Sequence, residues 1–168
     1  MFRIPGEVIS HKFKIVEAGN MTIEEIKALL ISAQADFQLI EQDAPILSTA
    51  DAEKYYDIGK AAPTFILQNE DGLLACIVSS GHGRLDLENM KKQFGYSKLK
   101  IADRKKVEEQ TGYKVGTIPL IGHGLPCIFD DKLLRFDTIF GGTGNEFVTL
   151  KISPKDVKRL NRVIATLV

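Results

Sequence analysis

Between Thr111 and Gly124 the chain reads TGYKVGTIPLIGHG, and a stretch like this cannot continue a regular helix or strand. Gly112, Gly116, Gly122 and Gly124 crowd around Pro119, with Lys114 the only formally charged residue and His123 the only imidazole. Glycine loses more backbone freedom than any other residue when fixed in an element, and proline lacks the N–H that a ladder needs. So much bare peptide has two uses. It can turn the chain tightly between strands, or it can bring backbone N–H groups close to a ligand's carbonyl oxygen or oxyanion.

The segments around it are regular. Thr22 and Glu25 have capping-box spacing before a helix whose face carries Ile23, Ile26, Leu30 and Ala33. DFQLIE reads as a short strand, and Ser48 or Thr49 can cap a second helix running to Tyr55. PTFILQ and LLACIVS are strands joined by NEDG, whose Asp71-Gly72 pair is a hairpin signal. A helix opens near Asp86 and closes at Gly95; KLKIA is a strand; Asp103 caps a helix that stops at Gly112. PCIFD and DTIF are strands, and GGTGN turns the chain into the strand EFVTLKI. Ser153-Pro154 starts a last helix, read with Val157, Leu160 and Ile164 inward. The N-terminal VISHKFKIV alternates like a strand, which makes residues 1–20 an extension packed on a domain spanning 21–168. Interspersed strands and helices with hairpins predict one α+β domain built on a mixed or antiparallel sheet.

At 168 residues the chain is long enough for a sizeable core. Its 22 Lys+Arg balance 22 Asp+Glu, so there is no global basic field for non-specific nucleic-acid binding, and no DNA partner is expected. Any phosphate contact must come from a local patch. Lys155, Lys158, Arg159 and Arg162 fall on one helical face, either a solvated stripe or a phosphate-contacting one, and Arg104-Lys105-Lys106 add a second cluster. Cys76 and Cys127 lie in apolar runs and read as buried free thiols. No metal-ligand spacing occurs, so neither metal nor cofactor is expected. MFRIPGEVISHK has no apolar signal region, and nowhere do about 18 apolar residues run together, so the reading is cytoplasmic and not membrane-bound.

His11, His82 and His123 are scattered, and a lone histidine is usually structural or exposed. Ser79-Ser80-Gly81-His82-Gly83 is not a nucleophile elbow, and GGTGN lacks the Gly-Lys-Ser/Thr of a triphosphate loop.

PTFILQ, RLDLENMKKQFG, KLKIADRKKVEEQTGYKVGTIPLIG, LPCIFD and DTIFGGTGNEFVTLKISPKDV, in this order from about residue 22 to residue 163, resemble the YbaK/prolyl-tRNA-synthetase-associated domain family. Its members are aminoacyl-tRNA editing domains and free-standing deacylases that hydrolyse the ester between a wrong amino acid and the tRNA 3′-end. The resemblance implies a mixed, partly closed β-structure surrounded by helices. It implies an aminoacyl pocket lined by Gly116, Thr117, Pro119 and Gly122, with Gly141, Gly142 and Thr143 beside it. The implied partners are the aminoacyl-tRNA acceptor end and an aminoacyl-tRNA synthetase. The family's lysine at the start of the PTFILQ strand is here Pro63-Thr64, and a histidine common before the second helix is matched by Gln42. Lys60 is then the replacement ammonium to test, with His82 and His123 as assisting groups. Two functions follow: a trans-editing hydrolase, or a module that binds the aminoacyl end without cleaving it. A small-molecule sensor on the same scaffold is a third, since fold does not fix function.

Overall fold

The Thr22 hydroxyl accepts from the Glu25 N–H and the Glu25 carboxylate accepts from the Thr22 N–H, so the capping box forms and starts helix α1 (Ile23–Ser32). The computed structural model describes residues 21–168; the strand read over VISHKFKIV and the N-terminal extension lie outside them. Helix α1 is followed by β1 (Phe37–Glu41), the short α2 (Thr49–Ala52), β2 (Thr64–Asn69), β3 (Gly72–Ile77), α3 (Leu87–Phe94), β4 (Leu99–Ile101) and α4 (Arg104–Thr111). After the glycine-rich stretch come β5 (Cys127–Asp130), β6 (Ile139–Gly141), β7 (Val148–Ile152), α5 (Pro154–Leu160) and β8 (Val163–Leu167). Single 3-10 turns sit at Ile58–Lys60, Ser80–His82 and Asp131–Arg135. Gly95 and Gly112 close α3 and α4 in the left-handed conformation, as their positions in the sequence require.

Two sheets form. One has three strands in the order β1-β7-β6, all antiparallel. The other has five, in the order β4-β2-β3-β5-β8, and is mixed: the β2–β3 hairpin and the β2–β4 pair are antiparallel, while β3–β5 and β5–β8 are parallel. The hairpin turn is the one NEDG predicts, with the Asn69 side chain accepting from the Asp71 and Gly72 N–H groups. The sheets meet where β6 reaches the lead-in to β2: Ala61 bridges Phe140, and the Ala62 N–H donates to the Phe140 carbonyl. This junction gives the partly closed, mixed β-structure.

The five-stranded sheet is buried on both faces. Leu74, Cys76 and Ile128 pack toward Met90 of α3, while Ala75 and Ile66 pack toward Val107 of α4. The largest cluster joins Ile26 and Leu30 of α1 to Phe129, Ile139, Leu150 and Val157, and binds the two sheets into one core. Both cysteines are free and buried, and burial pushes each thiol up to about 12.

The C-terminal helix is shorter than its sequence reading. It stops at Leu160, and residues 163–167 form a strand against β5 instead. Ile164, read as inward, is 49% exposed. The Asn161 amide donates to the Leu120 and Val157 carbonyls and ends the helix, and the β-branched run that follows suits a ladder. The basic stripe is thereby broken up. The Lys158 ammonium is paired with Asp131 at 2.9 Å, and Arg159 with Asp156 at 2.7 Å, while Arg162 falls beyond the helix.

Candidate active site

Three stretches of backbone converge, and two of them do so at glycines. Gly116 has φ +97°, and a Cβ there would stand 2.8 Å from the Leu47 carbonyl oxygen. A Cβ on Gly142 would run into the Ile118 carbonyl oxygen. The turn at Gly142 is laced to the 116–120 loop: Pro119 bridges Gly142, the Leu120 N–H donates to the Gly142 carbonyl, and the Gly144 N–H donates to the Thr117 carbonyl at 2.8 Å. The Thr117 N–H and hydroxyl both donate to the Lys114 carbonyl and hold the loop's own turn.

These bends border a cavity of about 320 Å³. Its other wall is the segment from Ile46 to Phe65. Ser48 caps α2 by accepting from the Asp51 N–H, Asp51 accepts from the Leu47 N–H, and the Ile46 N–H donates to the Glu146 carbonyl, so the segment is tied to the turn before β7. Tyr56 stacks on Phe140 with ring centroids 4.4 Å apart and planes 11° off parallel. Burial raises the Tyr56 hydroxyl above the ordinary phenol value, so it stays a proton donor. Behind the wall, Gln42 donates to the Glu146 carbonyl and accepts from the Thr149 hydroxyl, which fixes two lining residues.

The lining is largely apolar, with the hydroxyl-bearing Ser48, Thr49, Tyr56, Thr64, Thr117 and Thr149, one amide, Asn145, and one acid, Glu146; among the described residues it holds no lysine, arginine or histidine. Glu146 has no ion-pair partner among the described residues. The Thr64 hydroxyl is shielded from solvent and has no hydrogen-bond partner among the described residues. Strand alternation puts Thr64 on the face of Ile66, whose neighbours Val115 and Ile118 also line the cavity.

Of the residues singled out in the sequence, Gly116, Thr117, Gly141 and Gly142 line this cavity together. Pro119 is buried in the bridge to Gly142, and Gly122 packs against Met21. Thr143 is buried, donating to the Val148 carbonyl. Lys60 is half-buried in its 3-10 turn, off the lining.

His82 and His123 also lie off the lining, each in a different setting. The His82 ring is 3.3 Å from the Lys132 ammonium and 3.7 Å from the Asp130 carboxylate. Burial alone would raise the Asp130 carboxyl, but the Ser79 and Lys132 N–H groups and the Ser79 hydroxyl donate to it and hold it below the usual value. His123 is buried; its Nδ1 accepts from the Leu125 N–H, and burial pushes its pKa down to about 4.

Sequence reasoning missed Tyr56, Phe140, Glu146 and Thr149. Only Phe140, adjoining the Gly141-Gly142 turn, carried a local signal.

Solved structures share this arrangement of sheets and helices. A hypothetical protein is 23% identical and superposes with a TM-score of 0.74, over 84% of this chain and 96% of its own. A proposed trans-editing enzyme for prolyl tRNA synthetase is 22% identical with a TM-score of 0.70, over 87% of this chain and 98% of its own. At these identities the likeness shows the fold alone, a mixed α/β domain with two sheets. The sequence profile of the aminoacyl-tRNA editing domain matches residues 43–160, and the chain belongs to that family.

Proposed function

We propose that this protein is a trans-editing hydrolase that cleaves the ester of a mischarged aminoacyl-tRNA. The observation that carries the reading is the meeting of the Gly116 loop and the Gly141-Gly142 turn at one cavity, in a chain of the editing family. A cavity of about 320 Å³ is at the small end of the ordinary range for ligand sites, which suits one aminoacyl group with its terminal nucleoside at the mouth. Water adds to the ester carbonyl carbon and the carbonyl electrons move onto oxygen. The tetrahedral species then collapses, and the departing ribose oxygen takes up a proton from that water. Backbone N–H groups at the two bends are the candidate oxyanion donors; one such donor is worth roughly 10²–10³ in rate. The unpaired Glu146 carboxylate is the candidate seat for the substrate's α-ammonium. Selection by cavity size is a reasonable task for such a site, because small side-chain differences yield only about 1–3 kcal/mol in a synthetase's own pocket.

A binding module is the second reading, favoured by Pro63 in place of the family lysine and by a lining that holds no cation among the described residues. Deacylation of tRNAs charged with alanine, serine, cysteine, threonine or proline separates the two. Turnover on at least one, abolished by Gly116→Val, is expected of the hydrolase. Saturable binding without turnover across the whole panel would sink it in favour of the module.

A further inference from the structure

The register of the three-stranded sheet puts an unassigned cation beside this site, off the lining itself but against one of its lining rings. Phe140 lies opposite Lys151, and Thr149 is two residues before Lys151 on β7, so all three side chains share one face. The opposite face carries Leu150, Ile152 and Ile139, which belong to the core. Phe140 and Thr149 both line the cavity. The Lys151 ammonium stands 5.9 Å from the centroid of the Phe140 ring, within reach of a cation–π contact. Lys151 is half-buried and has no acidic partner among the described residues. It differs in this from Lys158 and Arg159, which are held by Asp131 and Asp156. An ammonium within cation–π reach of a ring that lines the cavity, uncompensated and beside a lining that holds no cation among the described residues, is set up to receive an anion.

We infer that Lys151 is the phosphate-binding residue of the site and takes a backbone phosphate of the acceptor strand whose terminal nucleoside sits at the cavity mouth. The inference rests on the reading of the cavity as the seat of an aminoacylated RNA end. It makes Lys151 a binding residue and gives it no part in the cleavage step. A ligand of this class carries both an ammonium and a phosphate, and the site offers one unpaired charge for each, Glu146 and Lys151. With zero net charge on the chain, a single local cation gives the attraction a position as well as a sign.

The test uses an acceptor-stem RNA hairpin bearing a non-hydrolysable 3′-alanylamide, and its phosphate-free counterpart, 3′-alanylamido-adenosine. Binding of each to the wild type, Lys151→Met and Lys151→Arg is measured between about 50 and 200 mM salt. For Lys151→Met, hairpin affinity should fall several-fold at the low-salt end. The slope of log affinity against log salt should shrink by about 1, the signature of one lost phosphate contact. Lys151→Arg, which keeps the charge, should restore the slope. The loss should be greater on the hairpin than on the nucleoside. A hairpin slope identical in wild type and Lys151→Met overturns the inference and leaves the functional reading standing. Equal losses on hairpin and nucleoside also overturn it, since the group touched would not be a phosphate. A wild type that binds neither ligand overturns the functional reading, and this inference falls with it.

Discussion

His123 illustrates how far a residue's setting can change its chemistry. In the neutral ring Nδ1 accepts from the Leu125 N–H, while Nε2 is shielded from solvent and has no hydrogen-bond partner among the described residues. Its folded pKa, about 4, lies below the ordinary value of about 6.5, so between those values the unfolded chain binds the extra proton. Stability is therefore complete above about pH 6.5 and declines as pH falls toward 4, by up to about 3 kcal/mol from this group. Urea melts of the wild type should weaken through that window, and those of His123→Phe should lose much of the slope; parallel profiles would refute the assignment. Thr64 offers the converse case. Its hydroxyl is buried and unpartnered, so Thr64→Val removes a desolvation cost and should raise stability by about 1 kcal/mol. A lower denaturation midpoint would mean the hydroxyl has a partner in solution. Reduced affinity for the aminoacyl ligand in the same variant would show that the ligand supplies one.

At the scale of elements, local chemistry and pairing divide the outcome between them. Thr22, Asp86 and Asp103 cap the helices that follow them, and Gly95 and Gly112 end theirs, because a cap needs only a few neighbouring residues to act. The error at the C-terminus has a different origin. Val157, Leu160 and Ile164 have helical spacing, but Val163, Ile164 and Thr166 are β-branched strand formers, and the open edge of β5 decides between the two. Strand β8 covers that edge, and Leu167 joins the cluster around Met90. Deleting residues 163–168 should strip a ladder from the central sheet and abolish the cooperative thermal transition. A truncated chain that melts within a few degrees of the parent would show β8 to be dispensable.

For the whole molecule, the cavity exists only through contacts between distant parts of the chain. Leu47, Gly116 and Gly142 meet there, as do Tyr56 and Phe140, and no local pattern joins them. The two glycine bends stood out in the sequence because glycine is a local fact, and their pairing followed from family resemblance. Their reason is more specific than ligand access: the missing side chains let backbone pass close to backbone, and the cavity opens beside that crossing. The three catalytic candidates, Lys60, His82 and His123, were chosen for chemical type, and type alone cannot say which side of a wall a side chain occupies. Lys151 looked like any alternating strand residue until register set it opposite Phe140. The sequence by itself determined the caps, the hairpin, the buried strands and the family, because those depend on short-range sterics and on an ordered set of motifs. Tertiary structure alone decided which strand completed the central sheet, which rings stacked, and which charges were left unpaired beside the cavity, because each is settled by residues far apart in the chain competing for one space.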